Sequence, residues 1–282
     1  MILLEACHCQ TRGCDSGRSW VVTGKGRFVF VAILAVSIVL AILISIPPIV
    51  VDFLIIFNFA FSVLILMLAV LIPKPTDFYV FPPLLLLATI YRLSLNIAST
   101  RLILLSASQP LGAGLVILTF GTLVTSQSVM IGFILFLILL TVQHVVVTSG
   151  AERIAEVRAR FVLEAIPNRQ LSIEANLNSK FITKKEADAR RRATAIEQEF
   201  YGTMDGATKF VRGDATVAIV SVIANGFVGL LIGIGRDGLS IVQALQTYTI
   251  LTIGDGLASR IPALILSAAT GFLLARSRGT AR

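Results

Sequence analysis

The sequence predicts an all-α, polytopic integral membrane protein of about six transmembrane helices with one helical cytoplasmic loop, and three observations predict it. The 282 residues are 56% hydrophobic and 14% charged, with a mean hydropathy of +0.88, a balance found in multi-pass helical proteins and not in soluble domains. Apolar runs recur at the length that a bilayer demands, about 20 residues of helix. A single polar island, Ala151 to Asp214, holds 12 of the 24 Lys and Arg. Short loops rich in Lys and Arg stay in the cytoplasm, so this island orients the spans on either side of it.

Residues 1–27 form a cytoplasmic N-terminal segment, with Cys7, Cys9, Cys14 and His8 close together. A cytoplasmic thiol cluster is reduced, and this spacing with one nearby His fits no common zinc site, so neither a metal nor another cofactor is expected. Residues 28–148 are a membrane region of about four spans. Phe28–Ile46, preceded by Lys25 and Arg27, covers roughly 28 Å as a helix, close to the hydrocarbon thickness. It ends in Pro47-Pro48, where a signal peptide would carry a small-residue cleavage site. Those prolines make a tight external turn into Ile49–Ile72, which returns to Lys74 and Asp77. The third span opens at Phe81-Pro82-Pro83 and runs through Leu84–Leu105, its apolar surface broken by Arg92, Asn96 and Arg101. Leu111–Val124 is short and carries Gly112, Gly114 and Gly121, which reads as a re-entrant or interfacial piece. Val129–Thr148 is the fourth span.

Residues 149–214 read as a charged cytoplasmic loop of two helices. Ala151–Ile166 carries Glu156, Arg160 and Glu164 at i,i+4 spacing, and Pro167 is expected to stop it. Thr183-Lys184-Lys185-Glu186 is a capping box opening the second helix, with Glu186–Arg190 and Asp188–Arg192 pairs along its side. Ala189, Ala193, Ile196 and Phe200 share a face that should pack. Residues 215–276 supply about two more spans, Ala215–Gly235 outward and Thr247–Ala275 back, before a tail at 277–282. The positive excess at the start, second turn, island and end places both termini in the cytoplasm. Gly229 and Gly233 have the spacing for close helix packing.

The net charge of +8 suits loops facing an anionic leaflet; the basic residues alternate with acids and lack aromatic platforms, so no nucleic-acid partner is expected. No phosphate loop, nucleophile elbow or HExxH helix is present, which argues against an enzyme. An ionised side chain at bilayer depth costs about 2.5–3.5 kcal/mol on insertion scales, so each marks a functional position. The candidates are Asp52, Arg92, Arg101, His144, Asp255 and Arg260. Asp52 lies one turn from a boundary, and His144 lies at the cytoplasmic end of its span, where a neutral imidazole suffices. Asp255 sits between Gly254 and Gly256, where irregular backbone and water are expected to meet. It either titrates or pairs with Arg260 or Arg101. Asp205, Lys209, Arg212 and Asp214 crowd the last ten residues of the island, as a salt-bridge collar at the membrane entrance.

Four stretches in this order, Arg92-Leu-Ser-Leu-Asn-Ile-Ala-Ser-Thr-Arg101, Ala151-Glu-Arg-Ile-Ala-Glu-Val-Arg-Ala-Arg-Phe161, Met204-Asp-Gly-Ala-Thr-Lys-Phe-Val-Arg-Gly-Asp214 and Thr252-Ile-Gly-Asp-Gly256, resemble the bacterial flagellar and type III secretion export-gate family (FHIPEP, FlhA-like). The resemblance covers roughly Phe28 to Arg276, the family's N-terminal membrane portion. It implies a multi-pass subunit of the bacterial inner membrane that helps couple the proton motive force to export of unfolded substrates. Implied partners are a homo-oligomeric ring, other membrane subunits of the apparatus, the export ATPase complex and substrate–chaperone complexes. The family's charged positions fall on Arg101, Arg153, Arg160, Lys209, Asp214 and Asp255, with Glu164 where the family carries Asp. By this resemblance Asp214 and Asp255 are the proton-handling candidates; Arg101, Arg153, Arg160 and Lys209 would tune or pair them, with Asp205 and Glu164 alongside. Phe200-Tyr201-Gly202 leans flagellar over a virulence-type paralogue. Two further readings are a proton-coupled small-solute transporter, for which no inverted repeat is visible, and a structural scaffold. Family members continue through about two more spans into a large cytoplasmic domain. Because this chain stops at Arg282 after an atypical Cys-rich start, the resemblance implies a fragment, a split gene product or a decayed reading frame.

Overall fold

The computed structural model describes residues 46–72, 75–107, 109, 111–125, 128–145, 150 and 152–275. The expected first span before Ile46, the Cys7, Cys9 and Cys14 cluster and the basic tail lie outside the described residues.

The chain enters at α1, Pro48–Leu71, whose Pro48 occupies the first helical position. Proline is tolerated there because the first helical N–H groups have no intrahelical acceptor. The same logic opens α2, Phe81–Ser106, with Pro82 and Pro83 in its first turn. A short α3, Leu115–Thr125, and α4, Val129–Val145, follow. Then comes a helical hairpin of α5, Glu152–Asn178, and α6, Lys184–Ile223. Lys180 takes φ 58° at its tip, the left-handed residue that commonly closes a helix. Thr183 accepts a hydrogen bond from Glu186 N at 3.3 Å, which is the Thr183 half of the expected capping box, while the Glu186 carboxylate accepts from Arg190 at 2.8 Å. One π-helical turn, Ala224–Val228, joins α6 to α7, Gly229–Gly235. The last helix is α8, Ile241–Ala275. Ser240 and Gln243 cap it reciprocally, each backbone N–H donating to the other's side chain at 3.3 Å.

By length and apolarity α1, α2, the α6–α7 run Lys184–Gly235 and α8 can cross a bilayer, and α3 with α4 forms a bent pair whose axes differ by 104°. That bend fits the re-entrant reading of Leu111–Val124 or one broken span. At most five spans therefore lie among the described residues.

Two large apolar clusters hold the bundle, with a small third one of Phe136, Ile253 and Leu257. At the hairpin end, Ile65, Phe81, Leu85, Phe200, Met204 and Leu273 pack together. At the opposite end, Val51, Ile55, Ile103, Ile117, Tyr248 and Leu251 do so. Since α1 and α8 pass from the second cluster to the first and α2 the other way, α1 and α8 run parallel to each other and antiparallel to α2. Backbones approach closely where glycine allows it. A Cβ on Gly254 would collide with Ile117 O, and one on Gly121 with Ile250 O, so α3 lies against α8 almost without intervening side chains. Gly229 and Gly233 of α7 seat the Tyr248 ring.

Several local expectations are corrected. Pro167 does not stop α5, which continues eleven residues to Asn178; packing of Ile173 and the 2.7 Å Arg169–Glu197 ion pair onto α6 outweigh the lost hydrogen bond. The buried face of α6 is Ala187, Thr194, Glu197 and Tyr201 rather than Ala189, Ala193 and Ile196, because α5 covers that side. Phe200 is buried as expected. Asp188 meets Arg191 at 3.8 Å, not Arg192. No break separates loop from span at Asp214 and Ala215, since α6 runs unbroken through both. Likewise α8 starts at Ile241, six residues before the expected Thr247, and stays helical through Gly254-Asp255-Gly256.

Candidate functional site

Between the two large apolar clusters lies a layer of buried polar groups. On α2, Arg92, Asn96 and Ser99 follow at i, i+4 and i+7, which places them on one helix face, and all three are buried. Arg92 is 1% exposed although it is one of the largest side chains in the bundle. Its partner is Asp214 of α6, 5% exposed, with Nη2 and Oδ2 2.5 Å apart. A guanidinium moved out of water demands such a partner, and the Arg92–Asp214 bridge is what locks α2 to α6 at this depth.

The second acid, Asp255 of α8, is also 5% exposed. Its Oδ2 accepts a hydrogen bond from Asn225 Nδ2 at 3.0 Å, and Ser99 lies beside it. Asn225 is fully buried in the π-helical turn. The irregular backbone expected around Asp255 thus sits on the facing helix, where π-turns often mark function.

Arg260, about one and a half turns along α8 from Asp255, interacts electrostatically with both Asp255 and Asp214. Its guanidinium carbon lies 4.8 Å from the centroid of the fully buried Phe136 ring on α4, a cation–π contact. Gly256 makes room for that ring: a Cβ there would clash with Phe136. The layer therefore holds two guanidinium groups and two carboxylates. A proton accepted by either acid would leave an uncompensated positive charge deep in the bundle, where it strongly affects its neighbours.

The other sequence candidates lie elsewhere. Arg101 is on α2, nine residues beyond Arg92 and only partly buried. Asp205 and Lys209 pair with each other at 2.7 Å; Asp214 turns inward to Arg92, so the expected collar does not include it. Arg153, Arg160 and Glu164 are exposed on α5, and Arg160 meets Glu156 at 3.7 Å. Asp52 is no isolated charge: its carboxylate accepts from Leu115 N at 2.7 Å and Val116 N at 3.0 Å, capping α3 from another helix. That approach needs Gly114 with φ 97°. Asn225 and Phe136 are not singled out by the sequence reading. A lone amide in the apolar run from Ala215 to Gly235 is a legible signal for Asn225; nothing distinguishes Phe136 among neighbouring apolar residues.

The family model described as the FHIPEP family matches residues 38–282. The flagellar biosynthesis protein FlhA of Helicobacter pylori is 46% identical over 246 residues, 87% of this chain and 34% of that protein. The FlhA protein of Bacillus subtilis is 43% identical over 251 residues, 89% of this chain and 36% of that protein. The low calcium response locus protein D of Yersinia pestis is 40% identical over 253 residues, 90% and 35% of the two chains. The chain spans about a third of the length of these relatives. No solved structure matches it.

Proposed function

The chain belongs to the FHIPEP family, and from that premise we propose that it forms the membrane portion of a flagellar-type export gate. It sits in the bacterial inner membrane with both termini cytoplasmic. It helps couple the proton motive force to translocation of unfolded substrates, alongside other subunits of the export apparatus. The observation that supports the coupling role is the buried layer that pairs Asp214 with Arg92 and Asp255 with Asn225, with Arg260 interacting electrostatically with both acids. Four ionisable groups held together at bilayer depth are expensive, and such groups mark ion and proton relays. Orientation is supported by the basic hairpin, whose Lys and Arg belong on the cytoplasmic side.

Secretion tests this reading in a host lacking its own gate subunit, supplied with this chain and a separately expressed copy of the part of the Bacillus subtilis relative that this chain does not match. Export is expected to be restored and then lost in Asp214→Asn and Asp255→Asn, with membrane insertion and co-purification of apparatus subunits retained. Normal export by both variants would overturn it. A virulence-type reading is the alternative, since the Yersinia protein is also 40% identical; rescue of a virulence secretion mutant but not of a flagellar one would select it.

A further inference from the structure

We propose that Asn225 is a positioning residue that serves Asp255 in both of its protonation states, donating to the carboxylate and accepting from the acid. This rests on the reading of Asp255 as a proton-handling group and adds the residue that allows it to change state. As a carboxylate, Asp255 has only acceptor sites, and Asn225 Nδ2 donates to it at 3.0 Å. Once protonated, the same oxygen carries an O–H that needs an acceptor. Asn225 Oδ1, fully buried and without another hydrogen-bond partner, provides one after a half-turn of the amide about its last side-chain bond. An amide offers both a donor and an acceptor, which a carboxylate or a cationic side chain does not.

The surroundings suit that exchange. Asn225 lies within the π-helical turn Ala224–Val228, where the backbone already departs from the regular α-helical ladder. Below the turn, α6 is tied to α2 by Asp214 and Arg92. Above it, α7 is tied to α8 by Tyr248 against Gly229 and Gly233. The charged groups near Asp255 are Arg260 on its own helix and, through Arg260, Asp214. Ser99 of α2 lies beside it, and α3 and α4 present the Ile117 backbone and the Phe136 ring to Gly254 and Gly256. The amide is therefore a neutral, reversible partner in a layer that also holds two guanidinium groups and two carboxylates.

The test is pH-difference infrared spectroscopy of the full chain in phospholipid vesicles. In the unmodified protein, acidification should produce a protonated-carboxyl band together with a change in a side-chain amide band, and Asp255→Asn should lose both. Asn225→Leu should lose the amide change and move the carboxyl band to higher wavenumber; if that variant does not fold, Asn225→Ala carries the same expectation. A carboxyl band that keeps its position in the Asn225 variant overturns the role of Asn225 alone. The absence of any band that depends on Asp255 overturns the proton-handling reading, and this one with it.

Discussion

Charges on the α5–α6 hairpin and charges in the polar layer are paired with similar distances and opposite consequences. Glu186 meets Arg190 at 2.8 Å with both side chains about half exposed. Arg92 meets Asp214 at 2.5 Å with both nearly sealed from solvent. The first pair exchanges water for a partner at little net gain, because water solvates either ion almost as well. In the second, each ion depends on the other, since neither can return to water without unpacking the bundle. Proximity alone says little about importance; what the partner replaces decides it.

The largest expected effect is on the buried pair. Arg92→Met, which leaves Asp214 unpaired, should lower unfolding stability in detergent by about 3–5 kcal/mol, and the double variant Arg92→Met/Asp214→Leu should recover most of it. Equal losses in single and double variants would show that packing, not pairing, dominates there. Next comes Gly254→Val, whose side chain must push Ile117 O away; a loss of about 1–3 kcal/mol is expected, as for other overpacked cores. Gly206 on the hairpin has nothing near its Cβ position, so Gly206→Ala should instead stabilise by about 0.4–1 kcal/mol. Asp52→Ala, which uncaps α3, should cost about 0.5–2 kcal/mol, read as earlier thermal unfolding or faster hydrogen exchange at Leu115 and Val116. Smallest of all, Glu156→Ala on the exposed face of α5 should change stability by no more than about 0.5 kcal/mol. Raising ionic strength should erase even that difference while leaving the Arg92→Met effect in place.

Much of the site is visible in the chain because charges in apolar runs are conspicuous. Arg92, Asp255 and Arg260 stand out for that reason, and Asp214 stands out through the resemblance. Their pairing is not visible. Asp255 lies only five residues from Arg260 and invites a local ion pair, yet its direct partner is Asn225, thirty residues away. Asp214 reads as one member of a polar cluster with Asp205 and Lys209, until α6 is seen to carry it past them to Arg92.

Apolar lengths, proline positions and the Thr183 cap determine by themselves that this chain makes membrane-length helices and a charged hairpin, because these depend on local backbone chemistry and on the bilayer's thickness. Where helices end proves less local. Pro167 fails to stop α5 because α6 lies alongside to hold it, and α6 passes through the expected loop boundary at Asp214 without interruption. Which charges meet is decided only in three dimensions, by Gly254 and Gly256 drawing α8 close to α3 and α4 and by the π-turn that places Asn225 opposite Asp255. Contacts between helices depend on shape across gaps of a few ångströms, and a one-dimensional pattern of polar and apolar residues carries no record of those gaps.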